Sequence, residues 1–391
     1  MMEFRKIARA AFGLAAALIL ASCQGRRGVQ EHLAPPFPGR LSAWRLFTGQ
    51  LRELHPNQGV VPYDLNTPLF SDYADKFRFL WMPPGTSAAY RPDDVFDFPV
   101  GTILSKSFAF RTDPNGHDRL IETRLLVRAQ SGWVGLPYVW NRDQTEATLD
   151  VAADPVPVHF VDDAGHEHST NYNIPNSNQC KECHARYKVM GPLGPRARNL
   201  NKTYAYSSGP ENELAYWIAA GYLKGSPDPS RAPRAAVWNN PSTGTLEARA
   251  RTYLDINCGT CHRPGGAAAT SALYLDLASS GEEDLGVCKT PVAAGRASGN
   301  LLFDIVPGRP EESILIRRME STAPKVMMPE IARTLPHAEG IELVRAWIAS
   351  LGGTCAAAAP PPSQSPQAAP RIAKQGRQTE TRENMMAWLF R

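Results

Sequence analysis

The sequence has almost no net charge: 42 Lys and Arg stand against 38 Asp and Glu over 391 residues, a formal +4. With no dense basic cluster either, the electrostatic footprint of a nucleic-acid-binding protein is missing. Long apolar runs are also short in supply. The run from Ala10 to Ala21 covers twelve residues, below the roughly 20 that a membrane-spanning helix needs. Cysteine is scarce, with seven at positions 23, 180, 183, 258, 261, 288 and 355, so their spacing carries information. What is plentiful is core and turn material. The chain is 43% hydrophobic with 34 Pro and 30 Gly, which excludes wholesale disorder and predicts many loops. Its length excludes one small module and predicts two or three domains.

Arg5, Lys6 and Arg9 precede the apolar run, and Leu20-Ala21-Ser22-Cys23 closes it. Basic, then apolar, then small residues is the order of a secretory signal. A cysteine at the small-residue cleavage site resembles a bacterial lipobox, in which residues 1–22 are removed and Cys23 becomes the acylated N-terminus. A plain signal with an incidental cysteine is the alternative. Gln24, where Asp would retain a lipoprotein at the inner membrane, favours the outer membrane by the same resemblance. The expectation is a periplasmic chain held to the membrane by its lipid, with the other six cysteines in an oxidising space.

Residues 23–43 are polar and Pro-rich and read as a tether. Over 44–54, Trp44, Phe47, Leu51 and Leu54 sit at helical spacing. From there to residue 170 the pattern is β, with strands predicted near 77–81, 102–110, 119–128, 133–140, 145–151 and 156–161. Asp113-Pro114-Asn115-Gly116 and Ser131-Gly132 punctuate them. Helices are predicted at 212–224, 245–256, 311–320 and 338–351. Two of these share a faint repeat, Glu213-Leu214 before Trp217-Ile218-Ala219 and Glu342-Leu343 before Trp347-Ile348-Ala349. Residues 356–391 are Ala-, Pro- and Gln-rich and read as a disordered tail. The predicted fold class is therefore α+β and multidomain. An N-terminal all-β domain (44–170, sandwich or open-barrel-like) precedes two mainly α-helical cytochrome-c-type modules at 171–235 and 236–355.

Cys180-Lys181-Glu182-Cys183-His184 and Cys258-Gly259-Thr260-Cys261-His262 are both C-x-x-C-H, the attachment pattern of c-type haem. Two thiols about one helical turn apart can form thioethers to the two vinyl groups, and the adjacent imidazole then faces the iron. Composition alone would produce roughly 0.003 such motifs in this chain. A zinc ribbon wants its cysteine pairs some 15–20 residues apart, whereas these are separated by 78. A thioredoxin-like pair needs a βαβ setting that the sequence does not supply, and structural disulfides leave both histidines unexplained. Two covalently bound haem c groups are thus expected, with His184 and His262 as proximal iron ligands.

The second motif follows a predicted helix, as in class I cytochromes c, and Met327-Met328-Pro329-Glu330 lies ahead of the last helix. Met328 is the expected sixth ligand, with Met327 the alternative. The first motif follows the turn-like Asn171–Asn176 instead. Met190 is its leading sixth ligand, with His159, His166, His168 or an open site as alternatives. His166 and His168 follow Asp162-Asp163-Ala164-Gly165 and alternate along a strand, where solvated hairpin side chains are the plain reading. Cys288 and Cys355 are an even leftover pair in the second module, most simply a disulfide. Arg196, Arg198, Asn199 and Arg263 lie near the motifs and suit haem propionates, or else are simply solvated at the surface.

These residues resemble a family of bacterial dihaem c-type cytochromes with a β-rich N-terminal region ahead of two haem motifs. The matching segments are Leu65-Asn66-Thr67-Pro68-Leu69-Phe70-Ser71-Asp72, Glu122 through Arg128, Tyr138-Val139-Trp140-Asn141, Gln179 through His184, and Gly194-Pro195-Arg196-Ala197-Arg198-Asn199-Leu200-Asn201. The resemblance covers about residues 45–352. The expected function is electron transfer between periplasmic redox partner proteins. A dihaem peroxidase or oxidase with one open-coordinate haem is the rival expectation, and a β domain that binds a ligand while the haems sense redox state is a third.

Overall fold

A computed structural model describes residues 28–112, 118–152, 154–162 and 164–356. Cys23 with the signal segment, and the tail from residue 357, lie outside the described residues. Six strands form one antiparallel meander, each paired with the next. They are β1 Val61–Tyr63, β2 Asp75–Trp81, β3 Ile103–Arg111, β4 Asp118–Ala129, β5 Gly132–Trp140 and β6 Ala147–Leu149. A separate hairpin follows, β7 Val156–Val161 with β8 Glu167–Tyr172.

The sheet does not become a sandwich or a barrel, and the reason lies in what covers its faces. On one face Phe79, Trp81, Leu125, Val127 and Tyr138 pack against Leu41, Trp44, Leu46, Phe47 and Leu54. On the other, Leu80, Leu104 and Leu126 pack against Ala197, Leu200, Leu214 and Trp217. A sheet face needs an apolar partner layer, and residues 197–217 provide the layer that a second sheet would have supplied. The segment 44–54 is not a helix either. It forms 3-10 turns at Leu41–Trp44 and Leu51–Glu53, with Arg45 and Leu54 left-handed at their ends. Its apolar spacing serves docking on the sheet rather than a helical stripe.

Two mainly helical modules do not follow. The described residues hold six α-helices: α1 Ser177–His184, α2 Ala197–Leu200, α3 Glu213–Ala219, α4 Leu246–Asn257, α5 Ile314–Glu320 and α6 Ala338–Ser350. Only α1, α4 and α6 reach eight residues, and β structure dominates the chain. The first of the expected modules is built as much from hairpins (Ala185–Arg186 with Val189–Met190, Thr203–Tyr206 with Gly209–Asn212) as from helix. Pro192, Pro195, Pro210 and the left-handed Gly221 keep its helices short. Described residues up to Cys355 belong to one compact unit. None of their helices is long and apolar enough to cross a membrane.

Each helix start has a chemical cause. Asn176 caps α1, accepting from the backbone of Asn178 and Gln179 while the Gln179 side chain accepts from Asn176, so the first cysteine motif lies inside a helix that begins just before it. Thr245 caps α4 by accepting from Ala248 N at 3.1 Å. The Trp217 and Trp347 of the faint repeat are both fully buried, one against the sheet and one between α4 and α6.

The first residue of α3, Glu213, is buried with one carboxylate oxygen accepting from Asp64 N at 2.9 Å. Burial pushes its carboxyl from the ordinary 4.5 to about 8. The folded chain therefore favours the protonated form, and stability is full below pH 4.5 and falls as pH rises towards 8. Glu213→Gln is expected to raise the unfolding free energy by roughly 2–3 kcal/mol at pH 8 and to leave it unchanged at pH 4. Urea titrations at the two pH values check this.

Candidate functional site: one cleft for both cysteine motifs

The two motifs arrive from different local structures. Cys180, Cys183 and His184 occupy α1, and α1 lies on β5, where the absence of a side chain at Gly135 lets Cys180 and Met190 approach. A Cβ there would stand 3.1 Å from Met190 Cε and 3.4 Å from Cys180 Cβ. Cys258 instead terminates α4, with Cys261 and His262 in the tight turns that follow. Tyr187 N donates to Gly265 O at 2.8 Å and so joins the first motif's hairpin to the second motif's loop.

All six motif residues line one cleft of about 360 Å³, together with Met190 and Met328. Leu65, Leu104, Leu126, Leu136, Leu275 and Ile314 give it apolar walls. A concave, mainly apolar lining with a few charged side chains suits a large, mainly apolar occupant. The thiols of Cys183 and Cys261 are in direct contact, which raises the first and brings the second down to about 7. Burial pushes Cys258 up to about 12.

The histidines share one arrangement. His184 Nδ1 lies 2.9 Å from Gly191 O, and His262 Nδ1 lies 3.2 Å from Leu273 O. A carbonyl only accepts, so each Nδ1 carries the proton and each Nε2 is a bare lone pair. Burial holds His184 down to about 4 and lowers His262 too, which keeps both imidazoles neutral. A ring fixed through Nδ1 to a backbone carbonyl is the usual state of an iron- or zinc-ligating imidazole.

Met328 lines the cleft and Met327 does not. Its loop is held by Arg333, a buried guanidinium that donates to the carbonyls of Met319, Ser321, Met328 and Leu335 at 2.7–3.1 Å. Asp72, from the turn before β2, accepts from Thr334 N at 2.7 Å and Leu335 N at 2.8 Å. Asp72 ends a strap that binds the sheet to the rest. Asn66 Nδ2 donates to Arg198 O and Ala235 O, and Phe70 N donates to Asn257 Oδ1. Met190 reaches the cleft as well, but the hairpin carrying it backs the Nδ1 side of His184 through Gly191. His159, His166 and His168 do not line the cleft. Cys288 and Cys355 are bonded to each other, with Cα atoms 5.1 Å apart.

The four basic and amide candidates are not surface groups. Arg196, Asn199 and Arg263 line the cleft, and Arg196 Nε, Arg263 Nε and Asn199 Oδ1 are buried without a partner. Arg198 pairs with Asp255 at 3.0 Å. Sequence reasoning missed a row of cations across the sheet: Arg78 opposes Lys106 and Lys106 opposes Arg124, and all three face the cleft. Like charges directly opposite are unfavourable. Asp64 compensates Arg78 at 2.6 Å and Glu122 compensates Arg124. Lys106 lies over the Phe108 ring at 4.6 Å, and burial drives its ammonium well below the usual range. The available signal was a lysine between Leu104 and Phe108, on the parity that should have been apolar throughout.

No family model matches the chain, nor does any curated protein or solved structure.

Proposed function

We propose that the chain is a periplasmic, lipid-anchored dihaem c-type cytochrome that carries single electrons between redox partner proteins. The observation that carries this reading is the pair of C-x-x-C-H histidines, each tied through Nδ1 to a carbonyl and each offering Nε2 to the same apolar cleft. Cys180, Cys183, Cys258 and Cys261 would form the thioethers, His184 and His262 would ligate iron, and Met328 would be the sixth ligand at the second haem. Arg196 and Arg263, each with a buried Nε that lacks a partner, are cations placed to meet propionates, and Lys106 lines the same cleft. Bound haem supplies a one-electron Fe(III)/Fe(II) couple, whose potential the axial ligand and burial set. The protein's part is to exclude water, hold both imidazoles neutral and oriented, and offset propionate charge. Because Cys183 and Cys261 meet, the two attachment sites adjoin within one chain, as relay of an electron from one to the other requires.

The full-length chain, expressed with a haem-attachment system, is expected to bind two haems, counted as pyridine haemochrome. Cys180→Ala with Cys183→Ala, or Cys258→Ala with Cys261→Ala, should each leave one. A chain without haem, or one carrying zinc at these thiols, overturns the proposal.

One observation favours a peroxidase or oxidase. Gly191, next to Met190, holds the Nδ1 edge of His184, opposite Nε2, which under this reading would leave the first haem without a sixth ligand. Under that reading Met190→Ala leaves a high-spin first haem as it was, and the protein turns over peroxide. Under the carrier reading both ferric haems are low-spin, and Met190→Ala converts one to high-spin.

A further inference from the structure

The histidines that stay out of the cleft gather elsewhere. β7 and β8 are joined by a turn built on Asp162, whose Oδ1 accepts from Ala164 N at 3.0 Å and His166 N at 2.8 Å. These bonds fix the carboxylate so that Oδ2 meets two imidazoles, His166 Nδ1 at 3.1 Å and His168 Nε2 at 2.9 Å. His168 opposes Phe160 in the hairpin, and its ring packs against those of Phe160 and Tyr73 at centroid distances of 5.1 and 5.2 Å. The Asp162 side chain is 6% exposed, that of His168 26% and that of His166 72%. Two of the three groups are thus held by packing and backbone bonds, and the third is free to adjust.

A nearly buried carboxylate wants a full positive charge beside it. Among the described residues, the ionic partners of Asp162 are these two imidazoles alone, and a neutral imidazole offers only a hydrogen bond. The three facing atoms all lie within 4.8 Å of one another. A tetrahedral ion with bonds of about 2.0–2.1 Å holds its ligand atoms about 3.3 Å apart, so a modest swing of the exposed His166 ring completes the geometry.

We propose that Asp162 Oδ2, His166 Nδ1 and His168 Nε2 bind one divalent first-row transition-metal ion of the zinc or copper class. Two imidazoles and one carboxylate suit that class, whereas Mg²⁺ and Ca²⁺ prefer oxygen alone. Each imidazole carries its proton on the outer ring nitrogen once the metal is bound. The fourth position faces solvent beside His166, which makes the ion exchangeable. The site lies outside the cleft and stands whether or not haem is attached.

Equilibrium dialysis of the full-length protein against Zn²⁺, and separately Cu²⁺, is expected to show one equivalent bound that EDTA removes. His166→Gln should weaken it by about 10–100-fold. This residue is exposed, so the variant folds, and the Cu²⁺ electron paramagnetic spectrum should lose one of two coordinated nitrogens. Mg²⁺ should not compete. Absence of a stoichiometric Zn²⁺ or Cu²⁺ site overturns the proposal. So does binding that His166→Gln leaves unchanged, which would place the ion elsewhere, for instance on the cysteine thiols.

Discussion

Arg333→Met is expected to free the Met328 loop and to cost roughly 4–6 kcal/mol of stability. The guanidinium serves five backbone carbonyls, those of Arg318, Met319, Ser321, Met328 and Leu335. Each buried carbonyl left without a donor costs about 1–3 kcal/mol. The effect has a direction in function too. On the proposed function the four motif cysteines and His262 are untouched by this change, so haem content should stay at two per chain while the Met-to-iron charge-transfer band expected from Met328 disappears. Arg333→Lys retains the charge but lacks the planar fork that reaches several carbonyls at once. It should therefore fall between the wild type and Arg333→Met in urea stability and in the strength of that band. Intact Met ligation in a folded Arg333→Met protein would show that the loop is positioned by other contacts.

The second large effect comes from Gly340→Val. α4 and α6 cross with the Gly340 backbone against the Tyr253 ring, and a Cβ at 340 would lie 2.3 Å from Tyr253 Cζ. Tyr253 has little room to move, since its hydroxyl lies 3.0 Å from His337 Nδ1 and Trp238 packs beside it. Overpacking of this kind costs about 1–3 kcal/mol when neighbours can relax. Here the expected loss is at the upper end, about 3 kcal/mol, read from denaturant unfolding. Gly352→Ala is the control, because nothing stands within 4 Å of a Cβ at that position. α4 delivers Cys258, so on the proposed function Gly340→Val should also reduce haem attachment at the second motif more than at the first.

The sequence was most legible where local pattern and final environment agree. The alternation in Asp75–Trp81 and Gly132–Trp140, and the apolar periodicity of Leu246–Asn257 and Ala338–Ser350, all appear as elements close to the expected bounds. Both C-x-x-C-H motifs were visible because their chemistry is contained within five residues. The misreadings concern partners far away in sequence. A sandwich was expected because nothing in residues 44–170 tells that Leu214 and Trp217 will cover the sheet. Residues 44–54 have helical spacing, yet that spacing is consumed by docking on β2 and β5. Asp72 has its partners Thr334 and Leu335 262 and 263 positions away. The cation row is invisible one strand at a time, because only the register brings Arg78, Lys106 and Arg124 side by side.

The Cys288–Cys355 bond has a topological consequence. It closes a ring over a separation of 67 residues, and within that ring lie α5, the Met328 loop, Arg333 and α6. Cys258, Cys261 and His262 lie outside it. The second site is thus assembled from two chemically distinct halves, one anchored by the cysteine motif and one tied into a lasso by the disulfide. In the chain-entropy view such a closure is worth about 4 kcal/mol, and it falls on the half that carries Met328. Made in a reducing compartment, the same polypeptide would keep its motif but hold its distal half loosely. Completion of this half is thereby tied to formation of that one bond.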